Sequence, residues 1–262
     1  MSEPETLAID VNGYATRVWR KGSGPKVGFL AGLGGLPRWV PFLDHLAETR
    51  TVIVPSLPGF PGGDRGHVVL DQHLDWLLAV REILEKCDLF GADLAGSSVG
   101  GSLVAEFAAI WPQHVRKIAL IAPFGLFDEK EPATDPWAQR ADVVAGLMCA
   151  DPQTWTDLKT APDGANSVEW PIKQVRASEA AARIFWPLGN TKLEKRLPLI
   201  KAPTLLIWGE QDRIMPRSYA ERFRSLISSA TTTEIRLIPG AGHLAELDRP
   251  RDTAEAILGW LA

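Results

Sequence analysis

Eight short apolar runs, most of them separated by segments of helical periodicity, constrain this chain more than any other feature of its sequence. Strands that alternate with helices build a mostly parallel sheet covered on both faces, and its buried strands read as near-continuous apolar runs. TLAIDV (6–11) and YATRVW (14–19) meet at Asn12-Gly13, a pair suited to a two-residue hairpin turn, so the sheet is expected to begin antiparallel. KVGFLAG (26–32), RTVIVPS (50–56), a run ending at Ser97, VRKIALIAP (115–123), APTLLIWG (202–209) and TTTEIRLIPG (231–240) supply the other strands. Helices are expected over 39–49, 70–86, 98–110, 218–227 and from 250 onward; in the second, Leu74, Leu77, Leu78, Ile83 and Leu84 share roughly one face. After Pro123 the alternation stops. Residues 126–190 are rich in Pro and Trp and offer only helical fragments, at 138–148 and 178–185, which marks an insertion after the sixth strand.

Composition narrows the partners. The chain has 262 residues, 45% apolar and 23% charged, and its formal charge of −4 provides no basic footprint for nucleic acid. Two cysteines, Cys87 and Cys149, set up no disulfide framework and suit a reducing compartment. The start MSEPETLAID lacks the basic end and apolar run of a secretory signal, and no run approaches the ~18 apolar residues of a membrane span. The expectation is a cytoplasmic protein with a small-molecule substrate, no nucleic-acid partner, no membrane insertion and a possible homo-oligomeric state.

The segment LAGSSVGGSL (94–103) sits between an expected buried strand and an expected helix. In a G-x-S-x-G turn the serine stands at the tip of a tight strand-to-helix connection, and the glycines leave room where side chains would collide. Only one register fits: Gly96 and Gly100 flank Ser98, whereas Ser97 has Ala95 and Val99 at those places. A glycine-rich bend that merely packs a helix on a strand is the plainer alternative.

A serine hydroxyl needs a base to take its proton, and that base needs a third group to fix its tautomer. Of five histidines, His45 and His73 lie in helical patterns, His67 in a loop and His114 just after Trp111-Pro112; solvation or packing accounts for all four. His243, in IPGAGHLAEL, lies just past the last strand, where loops reach the carboxyl edge at which open α/β sheets place their sites. For the acid, LLIWGEQDRIMP offers Glu210 and Asp212, with Asp212 favoured by its distance from the strand end; Asp128, beyond the sixth strand, is a further candidate. The order Ser98, Asp212, His243 separates this chain from trypsin-like and subtilisin-like proteases.

With GSSVGG, WGEQDRIMP, GAGHLAELDRP, and FLAGLGG together with PSLPGFPGG, the chain resembles the α/β-hydrolase superfamily over essentially its whole length. The resemblance implies an α/β-hydrolase fold: a mostly parallel eight-stranded sheet flanked by helices, with a core of 1–125 and 191–262 and a helical cap of 126–190 after the sixth strand. It also implies an oxyanion hole made by the backbone N–H groups of Val99 and Leu33. The family usually has a His-Gly pair in that loop, where this chain has Ala31-Gly32.

In the expected cap, Trp137, Trp155 and Trp186 are candidates to bind substrate, with Trp170 nearby and Trp186 the foremost selector of acyl length; each can equally pack the cap on the core. Arg183, and less so Arg176, could hold a substrate carboxylate. The expected function is that of a serine hydrolase acting on a small to medium apolar carboxylic ester, with no metal or organic cofactor. A C–C bond hydrolase of ring-cleavage diketones shares fold and triad, although Leu244 stands where such enzymes often carry Trp. Epoxide hydrolases and haloalkane dehalogenases use aspartate at the elbow, and a ligand receptor that keeps the hydrolase fold is the rival from another class.

Overall fold

The computed structural model describes residues 3–186 and 189–262. Its strands are β1 (Glu5–Val11), β2 (Tyr14–Lys21), β3 (Lys26–Leu30), β4 (Thr51–Pro55), β5 (Asp93–Ser97), β6 (Ile118–Ile121), β7 (Thr204–Gly209) and β8 (Thr233–Ile238). They form one eight-stranded sheet in the order β1-β2-β4-β3-β5-β6-β7-β8. The β1–β2 and β2–β4 pairs are antiparallel, and every pairing from β4–β3 to β7–β8 is parallel. Asn12 and Gly13 both take positive φ, 52° and 83°, as the hairpin turn demands.

The helices are α1 (Pro41–Ala47), α2 (His73–Lys86), α3 (Ser98–Ile110), α4 (Ala141–Met148), α5 (Pro152–Lys159), α6 (Glu169–Phe185), α7 (Ser218–Leu226), α8 (Ala245–Asp248) and α9 (Pro250–Leu261). Because successive strand side chains point to opposite faces, β7 sends Leu206 and Trp208 to one side and Leu205 and Ile207 to the other. The first pair belongs to the buried cluster that holds Trp76 of α2, Leu103 of α3 and Phe223 of α7, the second to the cluster that holds Phe42 of α1 and Ile257 of α9. Strands β4 to β7 are buried throughout, which is why they read as unbroken apolar runs.

Three expectations shift. Helix α2 starts at His73 rather than residue 70, because Gln72 and Asp75 form a capping box after a 3₁₀ turn at Arg65–Val69. Its buried face is Trp76, Leu77, Val80, Ile83 and Leu84, leaving Leu74 and Leu78 56% and 49% exposed. Between β6 and β7 the described residues form three α-helices: α5 lies outside the helical fragments expected from the pattern, and α6 begins at Glu169, nine residues before the expected 178. The start of α5 is nonetheless written locally, with Pro152 in its first turn and the Asp151 side chain accepting from the Gln153 N–H.

Helix α3 runs through the middle of the molecule and carries a charge there. Glu106 is 0% exposed; its carboxylate accepts from Arg196 Nη2 at 2.5 Å, from Arg196 Nε, from Thr191 Oγ1 at 3.2 Å, and pairs with His73 Nε2 at 3.0 Å. Burial by itself would raise this carboxyl, but Arg196 and His73 outweigh it and hold it below its ordinary value. A depressed folded-state value means that the stabilisation is fully present above the unfolded value near 4.5 and is lost as pH falls through the folded one. Glu106→Gln is therefore expected to cost about 3 kcal/mol, because it leaves Arg196 without its counter-charge. Urea unfolding at pH 7 and again at pH 3–4 checks this: the gap between wild type and variant should shrink in acid.

Candidate active site

Strand β5 ends at Ser97 and α3 begins at Ser98 with no residue between them. Ser98 carries the turn, at φ 51°. Such a conformation costs a non-glycine residue about 1–3 kcal/mol and persists only where the surroundings enforce it. They do so by backbone-to-backbone contact: a Cβ on Gly96 would lie 2.5 Å from the Gly100 carbonyl oxygen, and one on Gly100 would lie 2.1 Å from that of Leu30 in β3. Glycine at both positions is thus a steric requirement of the turn.

Two hydrogen bonds bring the expected trio together. His243 Nε2 is 2.8 Å from Ser98 Oγ, and His243 Nδ1 is 3.0 Å from Asp212 Oδ2. With Asp212 ionised, the proton on Nδ1 is donated to it, and Nε2 is left to accept from the serine hydroxyl. Asp212 follows the end of β7, and its other oxygen accepts from the N–H groups of Ile214 and Met215 at 2.8 and 2.9 Å, so the carboxylate is held from both sides. The loop bearing His243 is held by Asp248, whose Oδ2 accepts from Gly242 N–H at 2.7 Å and from Ala150 N–H at 2.8 Å. Leu244 N–H donates to the Met148 carbonyl at 2.9 Å, which pins the same loop to the end of α4. All three side chains are essentially excluded from solvent.

The competing residues are occupied elsewhere. Asp128 pairs with Arg222 at 3.2 Å, Glu210 is exposed, His45 pairs with Glu48, and His114 stacks on Phe90. His67 is buried near Glu179, and burial lowers its pKa.

Val99 follows Ser98 in the chain, and Leu33 follows Gly32, which packs against Ser98. The Val99 N–H is one of the unpaired donors at the start of α3. Gly32 lies so close that a Cβ there would be 3.2 Å from Ser98 Cβ, and the turn it opens closes with Gly35 N–H donating to the Gly32 carbonyl at 2.9 Å, a bond that leaves the Leu33 N–H out. From Leu33 outward runs a cavity of about 400 Å³, walled by Gly34, Trp137, Val144, Trp155 and Lys159. The structure therefore brings Trp137 and Trp155 to a cavity that reaches Leu33 and Gly34. It leaves Trp186 62% exposed, because α6 ends there with that side chain turned outward, and it pairs Arg183 with Glu179 at 3.2 Å on the same helix. Pro187 and Leu188, in the RIFWPLGN stretch, lie outside the described residues.

Sequence reasoning missed three neighbours. Phe124, just past β6, meets the His243 ring edge-on with centroids 5.5 Å apart and joins it to Phe185. Lys159 reaches the Gly34 carbonyl at 3.2 Å from the end of α5. Glu246 is buried beside Ser97 and His243, and burial pushes its carboxyl up to about 7. Only Phe124 had a local signal, as the first large side chain after a strand on the carboxyl edge. Among the described residues no group of three or more His, Cys, Asp or Glu is placed to hold a metal ion, and no helix is long and apolar enough to cross a membrane.

The elbow makes its own prediction. Gly100→Ala should cost at least about 3 kcal/mol or prevent folding, since the new methyl meets backbone rather than a movable side chain. Gly259→Ala, which meets nothing within 4 Å on α9, should stabilise by roughly 0.5–1 kcal/mol. Thermal melting of the two variants side by side measures both.

Comparison with known proteins adds the lineage. The family model described as "alpha/beta hydrolase fold" matches residues 28–250. The chain is 26% identical to the dihydrolipoyllysine-residue acetyltransferase component of the acetoin cleaving system of Cupriavidus necator, over 93% of this chain and 65% of that protein, so it spans just under two thirds of that relative. It is 24% identical to human monoacylglycerol lipase ABHD6 over 93% of this chain and 77% of the lipase. It is likewise 24% identical to 2-hydroxy-6-oxo-2,4-heptadienoate hydrolase of Pseudomonas putida, over 98% of this chain and 93% of that enzyme.

Proposed function

Because the chain belongs to the alpha/beta hydrolase fold family, we propose that it is a serine hydrolase that cleaves a small to medium carboxylic ester through an acyl-enzyme. The single observation that carries this reading is the imidazole of His243, held at 3.0 Å by Asp212 on one nitrogen and at 2.8 Å by Ser98 on the other. Ser98 Oγ attacks the ester carbonyl as its proton passes to His243 Nε2, and Asp212 stabilises the imidazolium that forms. The N–H groups of Leu33 and Val99 receive the oxyanion. Collapse of the tetrahedral intermediate breaks the ester C–O bond, and the imidazolium protonates the departing alkoxide. A water molecule, deprotonated by the same histidine, then attacks the acyl-serine, and release of the carboxylic acid restores the Ser98 hydroxyl.

Residues 126–190 serve as the lid of this site in the same reading. Support comes from Trp137 and Trp155, which line the cavity at Leu33, and from Asp248, which bonds α5's approach and the His243 loop at once. Cleavage of a C–C bond is the second reading, favoured by the likeness to the heptadienoate hydrolase. Assay of a vinylogous diketone beside simple esters separates the two.

Labelling with a fluorophosphonate is the primary test. Ser98→Ala should abolish labelling and lower ester turnover by roughly a thousandfold or more, and Asp212→Asn should keep the fold but lose on the order of 10⁴ in kcat by analogy with other triads. Persistent labelling of the Ser98 variant would move the nucleophile elsewhere. For the lid, Trp137→Ala should shift relative kcat/KM between short and long esters by about tenfold, through lost burial at about 25 cal/mol per Å², while labelling of Ser98 persists. An unchanged chain-length profile would reduce Trp137 to a packing residue.

A further inference from the structure

The cavity at Leu33 has one charged side chain in its wall, Lys159, and no carboxylate pairs with that charge among the described residues. Its ammonium rests 4.5 Å from the centre of the Trp155 ring and donates to one carbonyl, that of Gly34, at 3.2 Å. Burial lowers its pKa to about 8, which leaves the protonated form favoured at pH 7. Gln174 of α6 lines this cavity and also the neighbouring one bordered by Arg17 and Arg176, and both polar atoms of its side chain are buried without a partner. Buried polar groups are nearly always paired, so an unpaired amide beside a cation that has a carbonyl and an aromatic face but no counter-charge is an exception that calls for a ligand.

Position relates this pair to the elbow. Gly32 sits against Ser98, and Gly34 sits against Lys159 so closely that a Cβ there would be 2.6 Å from Nζ. Two residues of chain span at most about 7 Å. These spans keep the ammonium within about 16 Å of the Ser98 side chain, on the far side of the loop of residues 32–34. We propose that Lys159 and Gln174 form a carboxylate subsite, and that the substrate of this enzyme is a small ester bearing a second, free carboxylate. Trp137 and Trp155 would flank the carbon chain between the two ends, Lys159 would pair with the carboxylate, and the Gln174 amide N–H would donate to it. This rests on the serine-hydrolase reading for the word ester, while the subsite itself rests on the cavity. Arg183 and Arg176, the sequence candidates for the same task, are placed differently: Arg183 is paired on α6, and Arg176 borders a separate cavity with Arg17.

Two measurements test it. In the first, release of methanol is followed from monomethyl succinate, glutarate and adipate against the methyl esters of butyric, pentanoic and hexanoic acid, and 4-acetoxybenzoate against 4-methylphenyl acetate covers a carboxylate on the alcohol half. The wild type should favour the anionic member of at least one pair. Lys159→Met should lower that anionic-to-neutral ratio of kcat/KM by about tenfold or more, chiefly through KM, Lys159→Arg should restore part of it, and Gln174→Leu should lower it less. A wild type that favours the neutral member of every pair, or a ratio that Lys159→Met leaves unchanged, overturns the proposal. In the second, monomethyl glutarate is titrated calorimetrically into Ser98→Ala and into Ser98→Ala/Lys159→Met, with Ser98→Ala/Lys159→Gln in place of the latter if that variant does not fold. Binding that disappears with the lysine supports the subsite even if no ester is turned over and Ser98 takes no label, an outcome that would remove the hydrolase reading alone; equal binding, or none to either protein, overturns the subsite.

Discussion

The approach of α3 to β3 is the constraint on which the rest depends. At Gly100 the backbone of α3 comes so near the Leu30 carbonyl that even a methyl group has no room, and at Gly96 the strand and the helix that follows it touch in the same way. This contact forces the chain from strand to helix at Ser98 and puts that residue at φ 51°. It also buries α3 from Ser98 to Ala109, so that its one charge, Glu106, must be met by Arg196 and His73. The strain at one residue is sustained by a large number of ordinary apolar contacts around it.

The hydrogen-bonding partners of Ser98 are delivered by loops that the sheet aligns. β5, β7 and β8 run parallel, so the residues just past their ends, Ser98, Asp212 and His243, emerge on one edge. Each loop is then tied locally: Asp212 by the N–H groups of Ile214 and Met215, and the His243 loop by Asp248. Asp248 also accepts from Ala150, so the helical segment and the histidine are oriented through one carboxylate. The position of the segment before α5 and that of the histidine loop are therefore coupled.

Much of this was legible in residues close together in the chain. The hairpin at Asn12-Gly13, the eight strands, the register of the Ser98 turn and the preference for His243 over four other histidines follow from patterns a few residues long, because turn sterics, strand burial and loop position are local. Such patterns also led to Leu74 and Leu78, which are apolar but exposed; a count of leucines cannot tell which face of α2 meets the sheet, whereas Trp76 and Val80 mark it once the packing is known. Trp186 shows the same gap: a tryptophan at the end of a lid helix reads as a pocket residue, yet which way it turns is set by where that helix ends.

What the sequence by itself determined, then, is the order of elements, the strained serine turn and the chemical identity of its partners, since each is dictated by sterics or by reactivity within a short segment. Tertiary structure alone decided which side chains surround the cavity at Leu33. Lys159 meets Gly34 across 125 positions of sequence, Glu106 finds Arg196 across 90, and Asp248 joins Ala150 across 98. No local pattern announces such pairs, because a buried charge is tolerated or useful only in relation to groups that the fold brings to it from far along the chain.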